Sequence, residues 1–225
     1  MTHGLTRRHL AAPLLGAAFS SLRAAQRLPI RKAVLLSMLP SELSLKERFQ
    51  LAADCGFQAV ESQTMADAAQ VEETRKAAEA AKLPIHSVMN MDHWKYPLSS
   101  PDKEVYRKCV DGMKTSLRNA KAWGASTVLL VPAVVNAETS YDQAWKRSMA
   151  GIREMLPLAE DLKVIIAVEN VWNKFLLSPL EMAHYVDEFK SPWVKAYFDV
   201  GNVVLFGYPQ DWIRTLGPRI AKLHL

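Results

Sequence analysis

The chain has 225 residues, of which 49% are hydrophobic and 23% charged, a composition that is ordinary for a globular protein and excludes a disordered or collagen-like chain. Its net charge is +5, partly because six basic residues precede the first acidic residue, Glu42. The later basic residues are scattered among acids, and this pattern argues against a nucleic-acid partner. Two cysteines, Cys55 and Cys109, are too few for a disulfide framework or a cysteine-based zinc site.

Residues 1–30 are predicted to form an export signal and a linker rather than part of the fold. Arg7 and Arg8 resemble the paired arginines of a twin-arginine signal, and an alanine-rich apolar run follows over residues 10–19. That run is too short to span a bilayer but suits the hydrophobic part of a signal peptide. We therefore expect export to the periplasm by the twin-arginine route, with no membrane span once the signal is removed. An amphipathic helix or a disordered tail is the alternative.

From residue 31 onward, short runs of strand-forming residues alternate with longer segments of helical periodicity. The predicted strands are 32–38, 57–62, 84–90, 126–132, 163–169, 194–200 and 220–225. The predicted helices are 44–55, 67–82, 102–123, 141–160, 178–190 and 209–216.

Residues typical of helix ends support these boundaries. Ser44 and Glu47 have the spacing of a capping box at the start of the first helix. Ser100-Pro101-Asp102 and Ser178-Pro179 are expected to begin the third and fifth helices, each with a cap followed by proline. Gly124 is expected to end the third helix.

Two of the predicted strands contain runs, 128–131 and 164–168, that are apolar at every position, which indicates a parallel sheet covered on both faces. Strands that alternate with helices in this way are typical of two folds, an open doubly wound sheet and a (β/α)₈ barrel. The barrel is favoured because no glycine-rich nucleotide-binding loop follows any strand and polar residues accumulate at strand carboxyl ends. Residues 31–225 are therefore predicted to form an α/β fold, a (β/α)₈ TIM barrel truncated after its seventh strand.

Glu169, Asp199 and His224 end three consecutive predicted strands and are separated by 30 and 25 residues, one β/α unit each. Adjacent strand ends lie about 5 Å apart, so the three side chains can converge on one ion. Two carboxylates and an imidazole suit a single divalent metal such as Mn²⁺, Mg²⁺, Co²⁺ or Zn²⁺. Taken singly, each residue also has a structural explanation, as a helix cap, an ion-pair partner or a core histidine.

Three segments carry a family resemblance: 168–174 (VENVWNK), 197–202 (YFDVGN) and 220–225 (IAKLHL). They resemble the sugar phosphate isomerase/epimerase superfamily of xylose isomerase-like TIM barrels, most closely its ketose 3-epimerase and hydroxypyruvate isomerase branch. The resemblance implies one divalent metal held by Glu, Asp, His and a second Glu. Glu169, Asp199 and His224 match the first three, and the fourth is expected beyond Leu225. Where that branch often has a histidine, this chain has Asn202.

The resemblance further implies a metal-dependent isomerase or epimerase of a small sugar or sugar-like ketone. In such a reaction a carboxylate removes the proton α to a carbonyl, and a metal stabilises the resulting enediolate. By resemblance, Glu169 is both metal ligand and catalytic acid/base. Candidate substrate-binding residues, each with a structural alternative such as packing or a salt bridge, are Glu61, His86, Asn90, Trp94, Trp172, Asn202 and Lys222.

Other functions stay open at this point. A dehydratase of a keto-cyclitol on the same barrel begins with the same proton abstraction, and a non-catalytic metal- or sugar-binding fragment is also compatible with the sequence. Phosphodiester cleavage is less favoured, because it needs a histidine-rich multi-metal site and the chain has only 6 histidines. The expected partner is a small-molecule sugar, and homo-oligomer formation is left open.

Overall fold

The computed structural model of this protein describes residues 30–225, so Arg7, Arg8 and the rest of the predicted export signal lie outside the described residues. Within them, seven strands form one sheet in chain order, and every neighbouring pair is parallel. The strands are β1 (Ala33–Leu35), β2 (Ala59–Gln63), β3 (Ile85–Met89), β4 (Thr127–Leu130), β5 (Ile165–Glu169), β6 (Val194–Asp199) and β7 (Ile220–His224). All seven predicted strands are confirmed, although β1 is shorter than expected because a 3₁₀ turn occupies Leu36–Met38.

The six predicted helices are also confirmed, and they connect successive strands from β1 to β7. They are α1 (Leu45–Asp54), α2 (Ala68–Ala80), α3 (Lys103–Trp123), α4 (Tyr141–Leu162), α5 (Pro179–Asp187) and α6 (Pro209–Leu216). None of the helices in the described part of the chain combines the length and the apolar character that crossing a membrane requires.

The helix ends follow the residue chemistry closely. At α1, the Glu47 carboxylate accepts from the Ser44 amide at 2.8 Å and the Ser44 hydroxyl accepts from the Glu47 amide, which completes the predicted capping box. Gly124 ends α3 in the left-handed region, with φ of 72°. The start of α3 differs from the expectation. Its cap is Asp102, whose carboxylate accepts from the Glu104 amide at 2.7 Å, so Pro101 precedes the helix instead of opening it.

The two faces of the sheet have different partners. Val128, Leu130, Ile166 and Val168 belong to the large core that also contains the buried faces of the helices. The alternating residues of these strands point to the other face, where Leu129, Ala167 and Tyr197 form a second, smaller cluster. Both faces are therefore buried, as the uninterrupted apolar strands predicted.

The register of the last three strands brings the predicted metal ligands together. Glu169 is paired with Tyr197 across β5 and β6, and Asp199 is paired with His224 across β6 and β7. All three strands run in the same direction, so their carboxyl ends meet at one edge of the sheet. This edge holds the candidate site.

Candidate metal centre

Glu169, Asp199 and His224 form the one group of at least three potential metal ligands found among residues 30–225, with donor atoms within 4.8 Å of one another. The Nδ1 atom of His224 lies 2.7 Å from Oε1 of Glu169 and 3.9 Å from Oδ2 of Asp199. One nitrogen of the histidine thus faces both carboxylates. The structure brings the sequence-predicted set together, with both carboxylates on the Nδ1 side of the imidazole.

Strand geometry explains why these side chains converge. Side chains two residues apart in a strand lie on the same face, so Tyr197 and Asp199 share a face of β6, and Lys222 and His224 share a face of β7. Glu169 is the last residue of β5 and is buried. The site therefore lies on the same face of the sheet as the small core cluster, which packs nearer the centres of the strands.

A third carboxylate contacts the same imidazole from its other side. Oε2 of Glu61, a buried residue of β2, lies 2.9 Å from Nε2 of His224. Burial by itself would lower the pKa of His224, but its hydrogen bonds with Glu169 and Glu61 outweigh burial and raise the pKa to about 10. Burial also raises the pKa of Glu169, against the opposing effect of His224. Without a metal, the two carboxylates therefore favour the protonated form of the imidazole.

The donor set and its arrangement fit a divalent cation. Nδ1 of His224 faces Glu169 and Asp199, whereas Nε2 faces Glu61. A cation between Nδ1 and the two carboxylates would take the place of the Nδ1 proton, and two carboxylates with one imidazole are common ligands of divalent ions. Glu169, Asp199 and His224 are therefore the residues that can hold a metal here.

Two asparagines hold Asp199 in place. Nδ2 of Asn170 donates to the Asp199 carbonyl oxygen, and Oδ1 of Asn170 accepts from the Asp199 amide, both at 2.8 Å. The backbone amide of Asn202 donates to Oδ1 of Asp199 at 2.7 Å. This bond occupies one carboxylate oxygen and leaves Oδ2 facing His224. Asn202 thus contacts a candidate ligand. It is the residue that stands where the ketose 3-epimerase and hydroxypyruvate isomerase branch often has a histidine.

Tyr197 belongs to the site, although it was not among the predicted site residues. It is buried, its hydroxyl donates to Oε1 of Glu61 at 3.1 Å, and its ring centroid lies 4.5 Å from that of His224. Burial, followed by the charge of Glu61, raises the pKa of the Tyr197 phenol. Its position two residues before Asp199 could have identified it, because that spacing places both on one strand face.

Four of the predicted substrate-binding residues, Asn90 and three others, lie in loops on the carboxyl side of the strands. Trp94 follows β3, Trp172 follows β5 and Asn202 follows β6. Both tryptophans are exposed, and the indole nitrogen of Trp172 donates to the Asn202 carbonyl oxygen at 3.0 Å. Lys222 lies within β7, two residues before His224, where burial and then Arg31 lower its pKa.

Two predicted substrate-binding residues, Asn90 and His86, lie deeper in the fold than the exposed loop residues. Asn90 is fully buried, and its side chain is already bonded to the Asp92 and His93 amides and the Ser116 hydroxyl, so it secures the loop after β3. His86 is the second residue of β3, about 10 Å along the strand from its last residue, Met89, and so lies toward the amino-terminal end. Burial and then Lys222 lower the pKa of His86 to about 4.

A parallel α/β sheet in barrel order, with carboxylates and a histidine at successive strand ends, defines a barrel-type α/β protein with a candidate cation site at its carboxyl edge. The family model described as "Xylose isomerase-like TIM barrel" matches residues 49–225, and the chain belongs to that family. This membership confirms both the predicted fold class and the family resemblance.

Similar proteins include the one named "Putative L-ribulose-5-phosphate 3-epimerase SgbU" of Escherichia coli (strain K12), which is 29% identical over 83% of this chain and 69% of its own length. Among solved structures, 3-keto-D-glucoside 4-epimerase YcjR from E. coli has a TM-score of 0.75 at 13% identity, covering 86% of this chain and 77% of its own. D-psicose 3-epimerase, determined in the presence of D-fructose, has a TM-score of 0.74 at 18% identity, covering 87% and 72%. These structural similarities support the fold.

Proposed function

We propose that this protein is a divalent-metal-dependent epimerase or isomerase of a small sugar or sugar-like ketone. The observation that carries the proposal is the convergence of Glu169, Asp199 and His224 within 4.8 Å at the carboxyl edge of the sheet. The names of similar proteins support the substrate class, because they include epimerases of a ketopentose phosphate, a keto-glucoside and a free ketose.

Glu169 is proposed to move the proton. Its side chain is buried, and in the metal-free protein burial raises its pKa, which makes its carboxylate a stronger base than that of an exposed glutamate. A divalent ion at the site would stabilise the negative charge that develops on the substrate oxygens as the proton leaves. Because Asp199 and His224 would hold the ion together with Glu169, its positive charge would lie next to the Glu169 carboxylate.

The loops around this edge are proposed to bind the rest of the substrate. Trp172 and Trp94 expose aromatic rings there, and hydroxyl groups of a sugar can bond to Asn202. Lys222 lies deeper, on the same strand face as His224. Glu61 contacts His224 and Tyr197, and this places it behind the imidazole.

The test is solvent deuterium exchange at the carbon next to the carbonyl, measured with Mn²⁺ on L-ribulose 5-phosphate, D-psicose and D-fructose. We expect the wild-type protein to exchange this hydrogen in at least one ketose, and Glu169→Gln to slow the exchange by about 10²–10⁴-fold. Glu154→Gln is the matched control, because Glu154 pairs with Arg107 and Lys114 on the helical surface.

Exchange at the wild-type rate in Glu169→Gln would remove Glu169 from the chemistry and leave it at most a ligand. Product analysis separates the reaction types that start with the same step. An epimer or an aldose supports the proposal, whereas loss of water from the product would identify a dehydratase instead.

A further inference from the structure

The two ring nitrogens of His224 have separate environments. Nδ1 faces the candidate ligands, at 2.7 Å from Glu169 and 3.9 Å from Asp199. Nε2 faces away from them and lies 2.9 Å from Oε2 of Glu61. Only Nδ1 is therefore placed to join the two carboxylates in binding one cation.

Glu61 reaches His224 across the interior of the curled sheet. It belongs to β2, which pairs with β1 and β3, whereas His224 belongs to β7, which pairs with β6. The Glu61 side chain is only 3% exposed, and its ion-pair partner among residues 30–225 is His224. Burying a carboxylate is costly unless it receives hydrogen bonds, so this pair needs a structural or functional reason.

The hydrogen-bond directions around Glu61 indicate that Nε2 of His224 carries a proton. The Tyr197 hydroxyl donates to Oε1 of Glu61 at 3.1 Å, and a carboxylate can only accept hydrogen bonds. Oε2 must therefore accept from an Nε2–H group on His224. With Nε2 keeping its proton for Glu61, Nδ1 is the nitrogen that would give up its proton to a cation and offer its lone pair.

Tyr197 also limits rotation of the imidazole. Its ring packs against that of His224, with centroids 4.5 Å apart and planes inclined by 52°. A turned imidazole would have to give up the Glu61 bond and repack against a tyrosine that is itself buried. The same tyrosine therefore anchors Glu61 through its hydroxyl and supports His224 through its ring.

We infer that Glu61, held by Tyr197, is a positioning residue that directs Nδ1 of His224 toward the metal. The inference rests on the proposed function, since it assigns a role within that metal centre. Glu61 acts through His224 and does not itself touch the metal.

The experiment compares Glu61→Gln and Tyr197→Phe with the wild-type protein by Mn²⁺ titration. Carboxylates that support a metal-bound histidine typically affect metal affinity by about 10–100-fold, and we expect a loss of that size in Glu61→Gln. Tyr197→Phe keeps the ring and removes one of the two donors to Glu61, so we expect a smaller loss.

The chain offers a matched control pair. The Tyr106 hydroxyl donates to Glu154 at 3.1 Å, the same distance as from Tyr197 to Glu61, but on the surface of α3 and α4. Glu154→Gln and Tyr106→Phe should therefore leave Mn²⁺ affinity unchanged. Circular dichroism of each variant shows whether it is folded, and the milder Tyr197→Phe keeps the test valid if Glu61→Gln unfolds.

A second readout identifies the coordinating nitrogen directly. In Zn²⁺-loaded protein labelled with ¹⁵N-histidine, we expect wild-type His224 to bind through Nδ1 and to keep the proton on Nε2. In Glu61→Gln we expect a mixture of Nδ1 and Nε2 coordination, an effect that a general loss of stability would not produce.

The outcomes separate this inference from the proposed function. If the wild-type protein binds Mn²⁺ but coordinates through Nε2, or if Glu61→Gln retains wild-type affinity and pure Nδ1 coordination, the inference is wrong and the proposed function stands. If the wild-type protein binds no divalent metal, both are wrong.

Discussion

Asn170 bonds to both backbone polar groups of Asp199, with two hydrogen bonds of 2.8 Å. The paired residues of β5 and β6 end at Glu169 and Tyr197, so the Asn170 side chain continues the connection one step beyond the sheet. Asn170 directly follows Glu169 in the chain. This asparagine therefore sets the spacing between two of the three candidate metal ligands.

Replacing Asn170 with alanine should both destabilise the fold and weaken metal binding. The change leaves a half-buried amide and carbonyl of the backbone without their side-chain partner, at no more than about 1–3 kcal/mol for each group, and it frees Asp199 to move. Asn173→Ala is the control, because Asn173 also has two bonds, to the Ala133 carbonyl and the Phe175 amide, away from the ligands. Denaturant unfolding and Mn²⁺ titration measure the two effects. Wild-type Mn²⁺ affinity in Asn170→Ala would contradict the spacing role.

Asp199→Asn should weaken metal binding and leave the fold intact. Asparagine keeps an oxygen that can accept from the Asn202 amide but loses the charge that attracts a cation. The protein purified without chelator is expected to contain about one divalent ion per chain, and elemental analysis should show much less in the variant. Asp187→Asn, which breaks a surface ion pair with Arg219, is the control and should keep its metal. A metal-free protein with full activity would refute the metal requirement.

His93 should make the protein less stable in mild acid. It is buried beside the strand ends, its Nδ1 accepts from the Val131 amide at 3.3 Å, and burial lowers its pKa to about 4. The unfolded chain binds the proton first, at about pH 6.5, so the free energy of unfolding should fall as the pH drops from about 6.5 to 4. The loss from this group is at most about 3 kcal/mol over that range.

The measurement for His93 is denaturant unfolding between pH 4 and pH 7. His93→Asn keeps a hydrogen-bond acceptor without the titrating ring, so its stability should depend less steeply on pH than that of the wild-type protein. His184→Asn, a change at an exposed histidine of α5, should follow the wild-type curve. Parallel curves for His93→Asn and the wild-type protein would show that His93 does not contribute.

Residues 1–30 should direct export of a folded passenger. We expect their fusion to a reporter that is active only after folded export to be transported through the twin-arginine route, because Arg7 and Arg8 supply the arginine pair. Changing both arginines to lysine should stop the transport. If export continues unchanged, the proposed periplasmic location loses its basis.

The sequence by itself determined the order of the elements and the meeting of Glu169, Asp199 and His224. Apolar strands alternating with capped helices require a parallel sheet, and consecutive parallel strands present their carboxyl ends at one edge. A polar residue at the end of each of three such strands therefore converges with the others, whatever the loops do. Local chemistry also located the helix starts, apart from the shift from Ser100 to Asp102 at α3.

Only the tertiary structure decided which other residues join this group. Glu61 and His224 are 163 residues apart, and they meet because the sheet curls until β2 faces β7. The same folding places His86 near the amino-terminal end of β3 and bonds the Asn90 side chain to its own loop and to Ser116 of α3. The periodicity of a strand shows on which face a side chain lies. It carries no information about which distant side chain the curvature of the sheet brings opposite it.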